Sequence, residues 1–363
     1  MYFMEAALGQ YGQVGPMQIW RELMPAAMGV GVAMVTISLI VSIYYNVIMA
    51  YCLFYLFNSM RAVLPWTFCD EAWADARCYV RGGNSSSRGD TTCAAGSSGG
   101  LSCRGDEPQT SEEQYWERRV LRIRDSGFGE FGDIGQMNME LGFYLLLSWV
   151  LVLICLSKGI KSSGKVVYFS ATFPYLILII LLVMGVIQPG AGDGLYYLFV
   201  PDWEKIKSFT VWRSAAGQVW RVYAASFLLS IASTYSIQVF FSLGISWGGI
   251  IMFGSYNKFD ARVHVDAHIV SVVDFLTSLL ASIVVFSTLG HSAHVLGVPV
   301  ETVAKGGQGL AFVAYPEALS KLPSPQFWSI IFFSMLFLLG LDSQFALVET
   351  ATCAIFDAFP RLR

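Results

Sequence analysis

The sequence predicts an all-α polytopic membrane protein. Of its 363 residues, 55% are hydrophobic and only 13% are charged, whereas a soluble domain carries about 25% charged residues. Mean hydropathy is +0.55, and six stretches are long and apolar enough to cross a bilayer core. Such a core is roughly 30 Å thick and needs about 20 helical residues. A pair of ordinary globular domains, the guess from length alone, is excluded because so few charges cannot cover a water-facing surface. The net charge of −3 leaves no basic excess for nucleic acid. Disorder is excluded for most of the chain by its hydrophobicity.

Residues 1–11, MYFMEAALGQY, read as the tail of a further span, too short to cross alone. They lack the charged start and small-residue cleavage site of a signal peptide, so the chain is read as beginning inside a helix. A cytoplasmic loop at 12–27 leads into a span at 28–57, and 58–140 forms a long loop. Spans at 141–157 and 166–188 flank Lys158-Gly-Ile-Lys161-Ser-Ser-Gly-Lys165, which holds three lysines and no acid. The positive-inside bias places that loop in the cytoplasm. Spans at 236–256, 267–290 and 327–355 follow. Parity puts 58–140, 189–235 and 291–326 outside, and 257–266 inside. The end, 356–363, falls inside with Arg361 and Arg363.

The loop 58–140 supports this orientation independently. Asn84-Ser85-Ser86 is a glycosylation sequon, usable on the lumenal side. Four of the seven cysteines lie in this loop: Cys69, Cys78, Cys93 and Cys103. An oxidised pair is allowed outside the cell, and Cys69 with Cys78 is the first choice. Cys52, Cys155 and Cys353 sit in or near spans and read as small apolar fillers. The Gly/Ser-rich stretch 81–106 reads as a flexible solvated loop. Its Arg88-Gly-Asp90 and Arg104-Gly-Asp106 tripeptides, two short matches in a compositionally biased loop, are weak evidence for integrin binding.

Irregular backbone and charge are tolerated in lipid only where they line a cavity or a site. Ser242-Leu-Gly244-Ile-Ser246-Trp247-Gly248-Gly249 has three glycines and two serines in eight residues. This favours an interrupted helix whose freed backbone groups bind an ion or a zwitterion; the alternative is close packing through small residues. Asp274 is mid-span, with Thr277 and Ser278 on the same helical face. Asp342-Ser343 sits in the middle of the last span, Glu5 in the N-terminal stub and Glu349 near the cytoplasmic end. Acids beside hydroxyls suit hard cations, and sodium is the expected occupant. His291 and His294 lie just beyond a span with no further zinc ligand evident, and read as solvated helix-end residues. No nucleophile–base set or phosphate loop appears, so an enzyme is not supported.

Taken together, MEAALGQY (4–11), SIYYNVIMAYCLFYLF (42–57), LPW with Cys69 and Cys78, KSSGKVVYFSATFPY (161–175), QVFFSLG (238–244), SYNKF (255–259), GLAFVAYPEAL (309–319) and LGLDSQF (339–345) resemble the sodium- and chloride-coupled neurotransmitter and amino-acid symporters. The resemblance implies two inverted five-helix repeats with broken helices around a midplane site. The first 11 residues then correspond to the end of family helix two. The six spans correspond to helices three to eight, the first helix and the last four being absent. The family's first helix supplies much of both sodium sites, so the chain alone is not expected to transport.

By position, the resemblance implies that Tyr45 closes over the substrate, with Val41 one turn earlier. Phe241 is the outer lid, and Gly244, Trp247 and Gly248 shape the pocket, with Ser343 and Ser242 bordering it. Ser242 and Asp274 fall at the first sodium site. Leu339, through its carbonyl, with Asp342 and Ser343 supplies half of the second. Gln238, Ser242 and Ser278 face chloride, and Cys69 and Cys78 match the family's outer-loop disulfide.

Two departures stand out. Asp274 replaces the Asn of most chloride-dependent members, as in some invertebrate nutrient amino-acid transporters. A fixed negative charge there repels chloride and attracts a cation, which predicts weak chloride dependence. Protonated, it would mimic Asn. Second, where the family reads roughly VWRDAATQIFFSLG, removing Val219 to Gln238 from this chain gives VWRSAAGQVFFSLG. The segment 219–238 therefore reads as an intron-derived insert, the alternative being a genuine apolar insertion. Without it, Gln218 takes the chloride role of Gln238.

Trp247 fills space where a large substrate side chain would lie, and Gly244 leaves room near the amine, both as in glycine transporters. The expected function is sodium-coupled symport of a small neutral amino acid, glycine first, across the plasma membrane, with a homo-oligomer possible. The alternatives are a truncated, non-transporting protein that associates with full-length transporters, and a monoamine symporter.

Overall fold

In the computed structural model the described residues are 1–75, 77–80, 93–95, 101–103, 109–123, 138–157, 160–200, 242–297, 299–300 and 309–359. In chain order the elements begin with helices α1 (Tyr2–Gly12), α2 (Pro16–Leu23) and α3 (Met28–Ser59). Four short strands follow: β1 (Cys78–Tyr79), β2 (Cys93–Ala95), β3 (Leu101–Cys103) and β4 (Gln109–Thr110). The remaining helices are α4 (Ser111–Gln114), α5 (Met139–Leu156), α6 (Ile160–Ile187), α7 (Ala191–Phe199), α8 (Gly249–Ser255), α9 (Val263–Leu296), α10 (Tyr315–Ser320) and α11 (Pro325–Ala358). Five helical stretches among the described residues are long and apolar enough to cross a membrane: Pro25–Ser59, Met139–Leu156, Val167–Ile187, Val263–Val295 and Pro325–Ala358.

These five correspond to five of the six expected spans. The sixth, 236–256, is not one continuous helix in its described part. Residues 243–248 turn, and helix α8 begins only at Gly249; the part of this span before Ser242 lies outside the described residues. Helix α9 begins earlier and ends later than the span 267–290, so His291 and His294 lie in its last turns rather than beyond it. His291 is not simply solvated, because its Nδ1 lies 2.9 Å from the Pro189 carbonyl.

The chain divides into two compact units. The first comprises Met1–Tyr45, Val200–Ala281 and Ser343–Arg363, the second Asn46–Phe199 and Ser282–Asp342. In the first, α1 packs against α8 at very short range. A Cβ on Gly9 would collide with the Ile251 carbonyl, so only glycine permits this approach. The Gln10 carboxamide nitrogen lies 2.6, 2.9 and 3.1 Å from the carbonyls of Lys258, Phe259 and Ala261. It thereby ties the end of α1 to the turn after α8. The Gly15 N–H donates to Asp357 at 2.9 Å.

The second unit has an aromatic core at the end of α3. Tyr55 is fully buried and stacks on Phe333 at 4.9 Å, with Trp66 and Tyr115 at 5.3 and 5.8 Å. Trp116 lies flat on Phe312 at 4.8 Å. The Tyr55 hydroxyl donates to the Phe312 carbonyl at 3.0 Å, which satisfies the one polar atom that burial of this ring would otherwise strand. Segment 58–140 thus contributes Trp66, Tyr115 and Trp116 to a packed core. The disulfide Cys69–Cys78 forms. The expectation of a structureless 81–106 is corrected where residues are described, since β2 and β3 pair antiparallel. Asn84, both Arg-Gly-Asp tripeptides and residues 219–238 lie outside the described residues.

Candidate functional site

Within the first unit, the turn at 242–248 is built from left-handed backbone. Gly244, Ser246 and Gly248 have φ of 65°, 72° and 82°. Gly248 is the residue from which α8 starts, and a Cβ there would meet Pro16 at 3.1 Å as well as a backbone conformation L residues avoid. Ser246, not a glycine, pays for the same conformation with a bond: its N–H donates to Glu5 Oε1 at 2.9 Å. The other Glu5 oxygen is buried with no hydrogen-bond partner among the described residues.

Three further elements converge on the turn. From α3, Ser38 donates to the Trp247 carbonyl at 2.5 Å. Ser38, Val41 and Tyr45 follow i, i+3, i+7 spacing and so share one helical face. Val41 is buried and Tyr45 half-buried. From α9, Asp274 Oδ1 accepts the Ser242 hydroxyl at 2.6 Å, and Ser278 is exposed one turn later. From α11, Thr350 approaches the backbone at Gly248. The turn is therefore surrounded by a carboxylate from α1, a hydroxyl from α3 and a carboxylate from α9.

Val41, Tyr45, Ser242, Gly244, Trp247, Gly248 and Asp274 all belong to this unit, and the hydrogen bonds Ser242–Asp274 and Ser38–Trp247 tie α9 and α3 to the turn. Phe241 and Gln238 fall outside the described residues. In the second unit, Asp342 is half-buried and accepts a 2.5 Å hydrogen bond from the buried Ser170 hydroxyl of α6. Leu339 is 43% exposed one turn earlier on the same helix; Ser343, the next residue of α11, is exposed and is counted with the first unit. Among the described residues no group of three or more His, Cys, Asp and Glu could hold a metal ion.

Sequence reasoning missed Ser38 and Ser170. Ser38 carried a signal, its spacing to Val41 and Tyr45. Ser170 carried none, because its partner is 172 positions away.

A helical protein with several helices long and apolar enough to cross a membrane, and a left-handed turn beside carboxylates and hydroxyls at the start of a further short helix, is the class these features define. The sequence matches the SNF family, the Sodium:neurotransmitter symporter family, over residues 1–236 and again over 231–363; the chain belongs to this family. It is a family of symporters, not enzymes, and the chain is a multi-pass membrane protein.

Among its relatives, the sodium- and chloride-dependent glycine transporter 2 of Xenopus laevis is 40% identical over 379 residues, covering 100% of this chain and 45% of the relative. The sodium- and chloride-dependent neutral and basic amino acid transporter B(0+) of Mus musculus is 44% identical over 381 residues, covering 99% and 55%. This chain thus spans about half the length of the curated relatives it matches. The crystal structure of MhsT in complex with L-phenylalanine has the same fold, with a TM-score of 0.63 at 21% identity over 99% of this chain and 63% of that one.

Proposed function

We propose that this chain is the central part of a plasma-membrane symporter that couples inward sodium movement to uptake of a small neutral amino acid, glycine first. The observation that carries the proposal is the turn at 242–248, with Ser242 bound to Asp274 and its backbone held by Glu5 and Ser38. Unwound backbone of this kind offers free N–H and C=O groups to a zwitterion, and the adjoining oxygens offer ligands to sodium. Ser242 and Asp274 serve one sodium, and Leu339, Asp342 and Ser343 half of another. Tyr45 and Val41 face the substrate from α3. Trp247 restricts side-chain size, which favours glycine, and relatives named as glycine transporters support this choice.

Sodium bound beside the interrupted helix favours the substrate-competent state, so by linkage the sodium gradient drives uptake. Each charge moved inward through 100 mV contributes roughly 2.3 kcal/mol. Chloride dependence is proposed to be weak. At an effective dielectric of 20, a charge 4 Å away from Asp274 feels about 4 kcal/mol, repulsive for an anion. The two matched stretches of the family meet at 231–236, inside 219–238, which supports reading that segment as an insert.

The test is uptake of labelled glycine by the full-length product of the gene, in sodium and in choline medium. Saturable uptake only in sodium is expected. Sodium-driven uptake of a monoamine but not of glycine would overturn the substrate. Association with other transporters, with no uptake of its own, would overturn transport itself.

A further inference from the structure

The outward segment 58–140 holds four cysteines, and the Cys69–Cys78 disulfide accounts for two of them. The other two are placed by the pairing of β2 with β3. The strands run antiparallel with Cys93 opposite Cys103, Ala94 opposite Ser102 and Ala95 opposite Leu101. Residues directly opposite one another in such a pair have Cα atoms about 4.5 or 5.5 Å apart, according to whether they exchange hydrogen bonds. Both spacings lie within the roughly 4.4–6.8 Å span that a disulfide requires. The intervening Gly96-Ser-Ser-Gly-Gly100 has the composition of a reversing connection. Each strand has only three residues, and an isolated two-stranded hairpin is marginal in water without a staple. The three remaining cysteines, Cys52, Cys155 and Cys353, lie in the long helices α3, α5 and α11, outside this segment.

We infer that Cys93 and Cys103 form a second disulfide, which closes the hairpin into a covalent ring. In forming it, the two thiols lose two protons and two electrons. Both pass to the disulfide of a thiol oxidoreductase of the secretory pathway, which leaves as a dithiol after a mixed-disulfide intermediate. The inference rests on the proposed outward placement of 58–140, which the Cys69–Cys78 bond independently supports.

The experiment uses the whole chain, expressed through the secretory pathway and denatured in N-ethylmaleimide without reductant. Trypsin, cutting after Arg88 and Arg104, releases the peptide 89–104 with both cysteines inside it. The expected peptide carries no maleimide and is two hydrogens lighter than its reduced form; prior reduction adds two maleimides. The variant C93S should expose Cys103 to alkylation and leave Cys69 and Cys78 protected. Maleimide on both Cys93 and Cys103, with Cys69–Cys78 still oxidised, would overturn the second bond but not the outward placement. Linkage of either to Cys69, Cys78 or another chain would also overturn it. Alkylation of all four would overturn the placement as well.

Discussion

Ser242 donates its hydroxyl to Asp274 at 2.6 Å, so the carboxylate is held against the turn rather than turned away from it. In the proposed symporter this charge excludes chloride and draws sodium. Asp274→Asn removes the charge but keeps an oxygen acceptor, and uptake should become strongly chloride-dependent. Replacing chloride by gluconate measures this: the native protein should lose little activity, the variant most of it. Equal chloride dependence of the two proteins would remove the Asp274 side chain from anion selection.

Ser170 acts on Asp342 in the same way, its hydroxyl fixing the acid from α6. A hydrogen bond of this kind contributes about 1 kcal/mol, or roughly fivefold in an equilibrium. Ser170→Ala should therefore raise the sodium concentration for half-maximal uptake several-fold, whereas Ser170→Thr keeps the hydroxyl and should restore it. Equal sodium curves for Ala and wild type would remove Ser170 from ion binding.

Helix α1 meets α8 through Gly9 without room for a methyl group. Gly9→Val forces backbone apart in a packed interface, where overpacking costs typically about 1–3 kcal/mol. Its melting temperature in detergent should fall clearly, and that of a variant at Gly29, where a Cβ meets nothing, should not. Helix α4 places Glu112 in the aromatic core of the second unit, 4% exposed and near Glu317 and Lys321. Burial, then the Glu317 carboxylate, pushes the Glu112 carboxyl up to about 7 from its ordinary 4.5, against its own N–H, the Ser111 hydroxyl and Lys321.

A carboxyl raised on folding is favoured protonated in the folded state, so its contribution is full below pH 4.5 and is lost as pH rises through about 7. The difference is on the order of 3 kcal/mol. Stability should accordingly decline from pH 5 to pH 8. Glu112→Gln should flatten this profile and gain stability at pH 8, as thermal melts across the range would show. A variant profile as steep as the native one would place the titration elsewhere.

At the scale of the molecule, the membrane-crossing helices were legible because about 20 apolar residues in a row have few other stable environments. The turn at 243–248 was legible for a similar reason, since three glycines and two serines in eight residues weaken any helix. The segment 219–238 remains a whole-chain question. Transcripts are expected to skip its codons, and sequencing them end to end decides this; transcripts that uniformly retain them would make it a genuine insertion.

Hydropathy also misjudged parts of the chain. It took 81–106 for a flexible solvated loop because Gly and Ser dominate that stretch. The aromatics that fold the rest of 58–140, Trp66, Tyr115 and Trp116, are scattered and pack against Tyr55, Phe312 and Phe333 from distant segments. The sequence by itself determined the membrane class, the glycine-rich turn and the family pattern, because periodicity, apolar length and motif identity are local properties. Only the tertiary structure decided that Ser242 meets Asp274, that Glu5 and Ser38 hold the turn, that Ser170 meets Asp342 and that Cys93 lies opposite Cys103. A hydrogen bond or a strand register joins residues by distance in space, and no spacing along the chain encodes it.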